Sequence, residues 1–343
     1  MKIGDARLMK KLNVNTVRKI LKAKKTMTKP ELSEISGLSV VTINAIIQEL
    51  VDSQEVLKLK ETQSTAGRKA TLYAYNGEFE LFLTVCLSQE KENEVVDIVV
   101  ANAFGEAIVE ERKEVQQLTL SFLIEALAPY VARYSTLKLI SVGIPGQEIN
   151  GRLTMIDFEK LLDVQLEKTL TERFQLPVIL ENDINAAIIG FCTSEKFLQS
   201  ESVVGLYYPD SNPPGAGIYL NGKLIKGKNG LAGEIKYLPV KQNWETVVTA
   251  TDIEENIIQS AQSLVSMYDP HHVVVFGTHA TVSVKQKIEE RIEAVFPAVE
   301  KTTVTVRQGF YAYYVYGMIC LSLQRLNTQY EVSLPFSFKQ LTI

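Results

Sequence analysis

The feature that most constrains the fold is an order of strand-like and helix-like segments that occurs twice between Leu81 and Leu326. In the first half, strands are predicted at 81–87, 95–103, 107–112, 139–142 and 176–180, and helices at 118–134, 158–170 and 185–191. In the second half, strands are predicted at 203–208, 216–220, 223–226, 273–276 and 303–307, and helices at 252–268, 282–296 and 310–326. Two βββαβα halves in tandem predict an α/β body of two lobes with a cleft between them.

A short polar segment ends the fifth predicted strand of the first half. Glu181, Asn182 and Asp183 follow the apolar run 176–180 and lead directly into the small-residue helix at 185–191. Polar groups at the carboxyl end of a strand lie where open α/β sheets bind ligands. Asn and Asp are also preferred at helix N-caps, so a purely structural cap is the alternative interpretation of these residues alone.

The first 78 residues show a different pattern, which predicts a helix-turn-helix. Helices are predicted at 13–25, from Thr28 to Gly37 and at 40–52. Thr28 and Glu31 form a capping-box pattern, Gly37 is suited to end the second helix, and Ser39 is suited to cap the third. Two short helices joined by a tight Gly-containing turn are typical of DNA-binding proteins.

The third helix has one apolar face and one face that is available for a DNA groove. The predicted DNA-binding residues are Ser39, Thr42, Asn44, Ala45, Gln48, Arg68 and Lys69. Asn44 and Gln48 can each pair with adenine in a bidentate manner, whereas the helix contains no Arg or Lys for guanine. Phosphate affinity is therefore expected from the first helix and from the arm around Arg7, Lys10 and Lys11.

Two strands that alternate in polarity, at 57–60 and 71–75, follow the third helix and predict a hairpin. The tip between them is basic, and Arg68 is placed to enter a minor groove. A solvated hairpin tip is the alternative for this loop by itself. Because the loop directly follows a helix-turn-helix, we interpret it as the wing of a winged helix that binds double-stranded DNA.

Charge and composition limit the other classes of function. Residues 1–80 hold 14 Lys/Arg and 9 Asp/Glu, whereas the remainder holds 22 and 31. A basic head indicates a polyanionic partner, although a Lys-rich solvated face has the same composition. The chain has no apolar run long enough for a membrane span and no signal core, so we expect a cytoplasmic location. Three scattered cysteines and three histidines without neighbouring ligands predict no metal and no cofactor.

Five segments together resemble the ROK family (repressors, open reading frames, kinases) in its NagC/XylR-type repressor branch. These segments are Ser64–Ala70, Gly143–Gly146, Glu181–Ala187, Gly215–Leu224 and Gly230–Ile235. The resemblance covers nearly the whole chain. It implies a winged helix at 1–78 joined to an actin-like, ribonuclease-H-like body. The first lobe would comprise 79–200 and the second 201–343, with the last helix packed back on the first lobe.

The resemblance also implies a sugar site. The implied sugar-binding residues are Gly146, Asn182, Asp183, Glu234 and Tyr237. In kinase members of the family, the residue at the position of Asp183 is the general base, so here Asp183 is expected to be a vestigial base. The turn that includes Gly143 would let backbone approach the sugar, and Ala186 and Ala187 would pack beneath it.

Several departures from the family pattern argue against catalysis. Where family kinases carry an Asp-x-Gly-Gly-Thr-type phosphate loop, this chain has a glycine-free segment at 88–94 with three glutamates. The second phosphate loop contains Pro213 and Pro214, which lack N–H donors. Lys236 and Tyr237 replace the family's Gly-His pair, and 238–252 contain no cysteine, so no zinc site is expected.

These observations predict a DNA-binding transcriptional regulator, a repressor of carbohydrate-metabolism genes, that senses a sugar or sugar derivative. Because helix-turn-helix proteins read paired half-sites, a homodimer or higher homo-oligomer is expected. Two alternatives remain from the sequence. Asp183 allows a working sugar kinase with a DNA-binding head, and the loss of the histidine at Tyr237 allows a regulator that is controlled by a protein partner.

Overall fold

The computed structural model describes residues 3–63, 69–90, 93–197, 200–210, 213–239, 249–298 and 300–328. The chain divides into two compact units. The first comprises Met1–Leu81, Ala101–Glu106 and Leu323–Ile343, and the second comprises Phe82–Val100 and Ala107–Ser322. Within the described residues, no single helix is long and apolar enough to cross a membrane, although one bent pair in the first unit passes that test by length and composition.

In its described residues, the first unit contains a group of N-terminal helices, a small antiparallel sheet and the end of the last helix, from Leu323. Its elements are α1 Ile3–Lys24, β1 Thr26–Thr28, α2 Lys29–Ser36, α3 Val40–Asp52, β2 Val56–Gln63 and β3 Lys69–Tyr75, with strand order β1-β3-β2. The axes of α2 and α3 meet at 116°. Two differences from the prediction are clear. Helix α1 begins at Ile3 and not at residue 13, and the short strand β1 was not predicted.

The predicted helix ends of this unit are confirmed. The backbone N–H of Thr28 donates to Glu31 Oε2 at 2.7 Å, which completes a capping box for α2. Gly37 has φ +69°, a left-handed conformation that suits glycine and ends the helix. Ser39 Oγ accepts from the backbone N–H of Thr42 at 3.1 Å and caps α3. The apolar faces pack into one core with members Val17, Leu21, Leu32, Ile43, Ile46, Ile47, Leu50 and Val56.

The second unit contains two lobes with the same strand order. Some of their elements end in the first unit, at Leu81, at Ala101 and from Leu323 onwards. The first lobe contains β4 Leu81–Glu90, β5 Asn93–Ala101, β6 Ala107–Val115, α4 Leu120–Arg133, β7 Leu137–Ile144, β8 Gly146–Ile149, β9 Arg152–Ile156, α5 Leu166–Phe174, β10 Val178–Asn182 and α6 Asp183–Ser194. The second contains β11 Val203–Tyr207, β12 Gly215–Leu220, β13 Lys223–Leu224, α7 Ala250–Tyr268, β14 His272–Phe276, α8 Val282–Val295, β15 Thr303–Arg307 and α9 Phe310–Thr328.

The main sheets have the orders β10-β7-β4-β5-β6 and β13-β12-β11-β14-β15. In each sheet the first strand of the lobe is central, the next two lie on one side and the last two on the other. Pairing is parallel between β7 and β10 and between β11, β14 and β15, because helices connect those strands. The tandem repeat predicted from the sequence is therefore confirmed.

One predicted helix, at 158–170, is wrong over its first half. Over residues 158–165 the chain instead forms a single 3-10 turn at Glu159–Leu161, and α5 begins only at Leu166. The hairpin β8–β9 precedes this segment, at 146–156, where no element was predicted. Asp163 has φ +63°, which interrupts a right-handed helix. Leu162, which the helical spacing placed on the buried face, is 53% exposed. The four-residue spacing of apolar side chains arose across a turn and not along one helix.

The last helix, α9, packs against the first lobe although it follows the second lobe in sequence. The Tyr314 hydroxyl donates to the backbone oxygen of Leu87 at 3.2 Å, and Ser322 Oγ lies 2.7 Å from Ser141 Oγ. A Cβ atom at Gly317 would overlap the backbone oxygen of Ala186 in α6. The small residues at this crossing allow α6 and α9 to approach closely, which fixes the start of each helix beside the cleft.

Candidate functional site

A cavity of about 760 Å³ lies between the two lobes of the second unit. Its size is that of a small-molecule site. The walls come from the ends of β4, β7, β11 and β14, from the hairpin β8–β9, from the start of α6 and from the start of α9. The polar side chains that line it include Gln147, Asp157, Asn182, Asp183, Glu234 and Lys236.

Asn182 joins two elements of the cavity wall. Its Oδ1 accepts from the backbone N–H of Asn185 at 3.2 Å and caps α6, as Asn does at many helix starts. Its Nδ2 donates to the backbone oxygen of Gly146 at 3.1 Å and thereby holds the hairpin β8–β9 against the helix. The cap that the sequence allowed as an alternative is present, and the residue also lines the cavity.

Glu181 supports this turn from beneath. It is buried, and its Oε1 accepts from the backbone N–H of Asn182 at 3.0 Å and from Asn185 Nδ2 at 3.2 Å. Its Oε2 lies 2.7 Å from Lys226 Nζ. A buried carboxylate needs such partners to offset its desolvation. Because Glu181 is not among the lining residues, its role is to position the cavity wall.

Asp183 begins α6 and faces the cavity. Its Oδ1 accepts from the backbone N–H of Ile184 at 2.8 Å. Burial raises the pKa of Asp183 to about 7, the bond from Ile184 opposes that rise, and the charges of Asp157 and Glu234 add to it. The pKa of Asp157 is raised by desolvation in the same cavity and by Glu234, while Lys236 lowers it. With a pKa of about 7, the carboxyl of Asp183 can exchange a proton near neutral pH.

Glu234 comes to the cavity from the second lobe. Its Oε1 accepts from Gln147 Nε2 at 3.2 Å, and its Oε2 lies 3.4 Å from Lys236 Nζ. The preceding Gly233 has φ +95°, and a Cβ atom there would overlap the backbone oxygen of Ala216. This close approach to β12 sets the position of Glu234, and the bond to Gln147 connects the two lobes across the cavity.

The cavity brings together four of the five predicted sugar-binding residues: Gly146, Asn182, Asp183 and Glu234. Tyr237 does not line it. The short turn Ile235–Tyr237 buries Ile235 and leaves Tyr237 69% exposed, with its hydroxyl 3.9 Å from the sulfur of Met155. The structure therefore places Tyr237 outside the cavity lining, and the sugar contact expected from it stays a prediction.

Several cavity residues were not predicted. Gln147 and Asp157 lie on and just after the hairpin β8–β9, in a segment for which no element was predicted. Tyr207 and Phe310 stack with ring centroids 3.6 Å apart and also line the cavity. The Asn150–Gly151 turn, with φ +54° and +76°, is the sequence signal that could have placed this hairpin and the polar residue that follows it.

Some small residues serve packing where a sugar contact was expected. Gly143 lies within β7, and a Cβ atom there would overlap the ring of Tyr314 from α9. Ala186 and Ala187 are fully buried, and Ala186 faces Gly317 of α9. Gly143 and Ala186 therefore admit α9, which packs back on the first lobe as the family resemblance implies. The expected packing of Ala186 and Ala187 beneath a sugar stays a prediction.

The cavity wall near the end of β4 is strongly acidic. Strand β4 continues to Glu90, which lines the cavity and pairs with Arg112 of β6. Among the described residues that line the cavity, the carboxylates are Glu90, Asp157, Asp183, Asp210 and Glu234, and the cation is Lys236. The described part of the chain contains no group of three or more potential ligands suited to a metal ion.

The predicted DNA-binding residues lie in the first unit. Asn44 and Ala45 are exposed on α3, whereas the hydroxyls of Ser39 and Thr42 bond to each other at 2.9 Å. Gln48 Nε2 donates to Asp52 Oδ1 at 2.7 Å. Lys69 begins β3, and Arg68 lies outside the described residues.

Comparison with known proteins gives the family. Residues 94–247 match the model described as ROK family. This chain carries a ROK family domain. The resemblance inferred from the five sequence segments is thus confirmed.

Curated relatives of the ROK domain include repressors. The chain is 22% identical over 252 residues to a xylose repressor of Bacillus spizizenii, a match that covers 71% of this chain and 64% of the relative. It is 22% identical over 247 residues to the DNA-binding transcriptional dual regulator NagC of Escherichia coli, covering 70% and 60%. The chain thus covers less than two thirds of the length of these relatives.

Solved structures agree on the fold. A ROK family transcriptional regulator described as a homolog of the E. coli MLC protein matches with a TM-score of 0.66 and 17% identity, covering 94% of this chain and 98% of that one. A ROK hexokinase from Thermus thermophilus matches with a TM-score of 0.56 and 18% identity, covering 72% and 99%. The two-lobed body therefore has the ROK sugar-kinase-like fold.

Proposed function

We propose that this protein is a DNA-binding transcriptional regulator whose ROK domain binds a sugar or sugar derivative without phosphorylating it. One observation carries the proposal: Gly146, Asn182, Asp183 and Glu234, which come from separate segments of both lobes, line a single cavity. Carboxylate and amide groups that converge in this way can bind several hydroxyls at once and reject analogues that lack them. The similarity to xylose and N-acetylglucosamine repressors supports this assignment.

The first unit is proposed to be a winged helix that binds double-stranded DNA. The angle of 116° between α2 and α3 lies in the range of helix-turn-helix proteins. The hairpin β2–β3 follows α3, as a wing does, and residues 1–80 carry a net positive charge. A homodimer or higher homo-oligomer is proposed because such units read two half-sites by symmetry.

The absence of kinase activity is proposed from the chemistry of the cavity. Phosphates are usually held by backbone N–H groups of glycine-rich loops or helix starts. Here β4 extends as a strand to Glu90, and Pro213 and Pro214, which cannot donate an N–H, line the cavity. Glu90 and Asp210 would repel the phosphates of a nucleotide.

One observation favours a second candidate, a working sugar kinase. A pKa of about 7 at Asp183 is suited to a general base. Phosphoryl transfer also needs a site that holds and neutralises the phosphates. An assay of ADP release over a panel of hexoses separates the two candidates. We expect no turnover above background, and turnover that Asp183→Asn abolishes would identify the protein as a kinase.

The proposed function is tested by two measurements on the full chain. A gel-shift assay with DNA from upstream of the gene, at low salt, is expected to show retardation. A thermal-shift screen of free sugars and sugar phosphates is expected to yield at least one stabilising sugar without Mg-ATP. If no sugar stabilises the protein while a protein partner is retained on it, a partner-controlled regulator would be the better account.

A further inference from the structure

We infer that α3 recognises A·T base pairs mainly through apolar contacts between Val40 and Val41 and the methyl groups of thymine. The inference rests on the proposed DNA-binding function and adds the chemistry of base recognition. On the solvent-facing side of α3, some polar side chains already bond to other groups of the protein, whereas Val40 and Val41 are exposed. The inference follows from this difference.

The hydroxyls at the start of α3 are engaged. Ser39 Oγ accepts from the backbone N–H of Thr42 at 3.1 Å and lies 2.9 Å from Thr42 Oγ1. This pair caps the helix, and loss of such a cap destabilises a helix by about 1 kcal/mol. A base contact from either hydroxyl would compete with the cap, so these two predicted DNA-binding residues are better suited to positioning the helix.

The second half of α3 is poorly suited to base contact. Gln48 Nε2 donates to Asp52 Oδ1 at 2.7 Å, which occupies a donor that bidentate pairing with adenine needs. Glu49 Oε2 lies 2.7 Å from Lys10 Nζ of α1. Carboxylates at positions 49 and 52 would repel DNA phosphates if this half of the helix entered a groove. The first turn of α3 is therefore the part that approaches the bases.

The side chains exposed at that end are mostly apolar. Val40 is 52% exposed and Val41 is 78% exposed, and Asn44 and Ala45 are exposed one turn later. Thymine carries the one methyl group in the major groove, and small apolar side chains contact it there. Asn44 can pair with adenine, and α3 contains no Arg or Lys to pair with guanine. Both kinds of contact select A·T base pairs.

An apolar patch of this kind also fits a second copy of the chain, and charge decides between the two occupants. Residues 1–80 hold 14 Lys/Arg against 9 Asp/Glu, an excess that favours a polyanion over an identical basic surface. The excess belongs to residues 1–80 as a whole, so contact between two copies of the first unit would bring together two bodies of like net charge. We therefore take DNA as the occupant, and self-association through Val41 is an outcome that the experiment can detect.

The experiment begins with selection of bound duplexes from a random-sequence pool by the full-length protein at low salt. Thymines at enriched positions are then replaced by uracil, which removes only the methyl group. We expect A·T pairs at the contacted positions and a loss of affinity of roughly threefold to tenfold per half-site on uracil substitution. Val41→Ala should cause a similar loss on the thymine duplex and little further loss on the uracil duplex.

The matched control is Val282→Ala, because Val282 is a valine that is 66% exposed at the start of α8 in the second unit. This variant should bind both duplexes like the unchanged protein. Guanine at the contacted positions, or equal affinity for thymine and uracil duplexes, would overturn the inference while DNA binding stands. A change in oligomeric state by Val41→Ala without a change in DNA affinity would overturn it in favour of self-association. If no duplex is retained at all, the proposed DNA-binding function itself fails.

Discussion

At the scale of single residues, the buried carboxyl of Asp183 is costly to ionise and also faces the cavity in which a ligand would bind. Its pKa is raised from the ordinary carboxyl value to about 7 because the cavity removes it from water and places it near Asp157 and Glu234. The native protein therefore binds this proton more tightly than the unfolded chain does. The resulting contribution to stability is lost as the pH rises from about 4 towards 7, since ionising the buried carboxyl is unfavourable.

We predict that Asp183→Asn makes the protein less sensitive to pH in this range. Asn keeps an acceptor for the N–H of Ile184 but cannot ionise. Relative to the unchanged protein, the variant should gain on the order of 1–3 kcal/mol of unfolding free energy at slightly alkaline pH, and much less at about pH 4. Urea unfolding at both pH values measures this difference.

The variant Asp252→Asn is the control, because its effect on stability at neutral pH should have the opposite sign to that of Asp183→Asn. Bonds from Thr249 lower the pKa of Asp252, so its charged form stabilises the capping box of α7 and the variant should be less stable at neutral pH. Equal pH dependence for Asp183→Asn and the unchanged protein would contradict the assigned environment of Asp183.

A second residue-scale prediction concerns the crossing of α6 and α9. A Cβ atom at Gly317 would overlap the backbone of Ala186, which cannot move without displacing the cavity wall. Gly317→Ala should therefore destabilise the protein by at least about 1–3 kcal/mol, despite the better helix propensity of alanine. Gly309→Ala, where the added Cβ atom meets nothing within 4 Å, is the control and should change the melting temperature little.

At the scale of elements, Asn182 performs two tasks that can be separated. Asn182→Asp keeps the acceptor that caps α6 but loses the donor to Gly146, whereas Asn182→Ala loses both. The alanine variant should lose about 1–2 kcal/mol of stability and the aspartate variant less. Both should weaken binding of a stabilising sugar, because the hairpin β8–β9 is no longer held to α6. Equal stability loss in both variants would argue against the division of roles.

Local signals explain which elements were predictable. The capping box at Thr28, the left-handed Gly37 and the cap at Ser39 each act within four residues, so the sequence located α2 and α3 well. The Asn221–Gly222 turn, with φ +52° and +74°, was predictable for the same reason. The hairpin β8–β9 was not predicted although it carries the same kind of turn, Asn150–Gly151 with φ +54° and +76°. The helix predicted at 158–170 was wrong in its first half because apolar side chains at four-residue spacing continue from a 3-10 turn into α5.

The site was predictable only in part, for a physical reason. Asn182 and Asp183 share one strand end, so their proximity follows from the sequence. Glu234 lies near them only because the two lobes are in contact. The family resemblance implied this proximity, but the spacing of residues along the chain does not. The true roles of Gly143 and Ala186 depend on α9, whose return to the first lobe is a long-range packing event.

At the scale of the whole molecule, the charge of the cavity restricts the ligand. Five carboxyl groups and one lysine are among its described lining residues, with Asp183 partly protonated near pH 7 and Glu90 paired with Arg112. A phosphate group brought into this environment would be repelled in a medium of low dielectric constant. A sugar that stabilises the protein should therefore bind at least about tenfold more tightly than its phosphorylated form, as measured by isothermal titration calorimetry of the pair. Tighter binding of the phosphate would contradict the assignment of these carboxylates to the ligand site.

The central claim is that an unphosphorylated sugar, by itself, controls DNA binding. A ligand can shift DNA affinity only by binding two states of the protein differently, and the coupling is reciprocal. The direct test is fluorescence anisotropy of a selected duplex titrated with the full-length protein, with and without a stabilising sugar and in the absence of nucleotide. We predict that the sugar changes the apparent Kd for DNA by about fivefold or more, and that Asn182→Ala weakens this response. The account is contradicted if saturating sugar leaves the Kd unchanged, or if a change appears only when Mg-ATP is present and consumed.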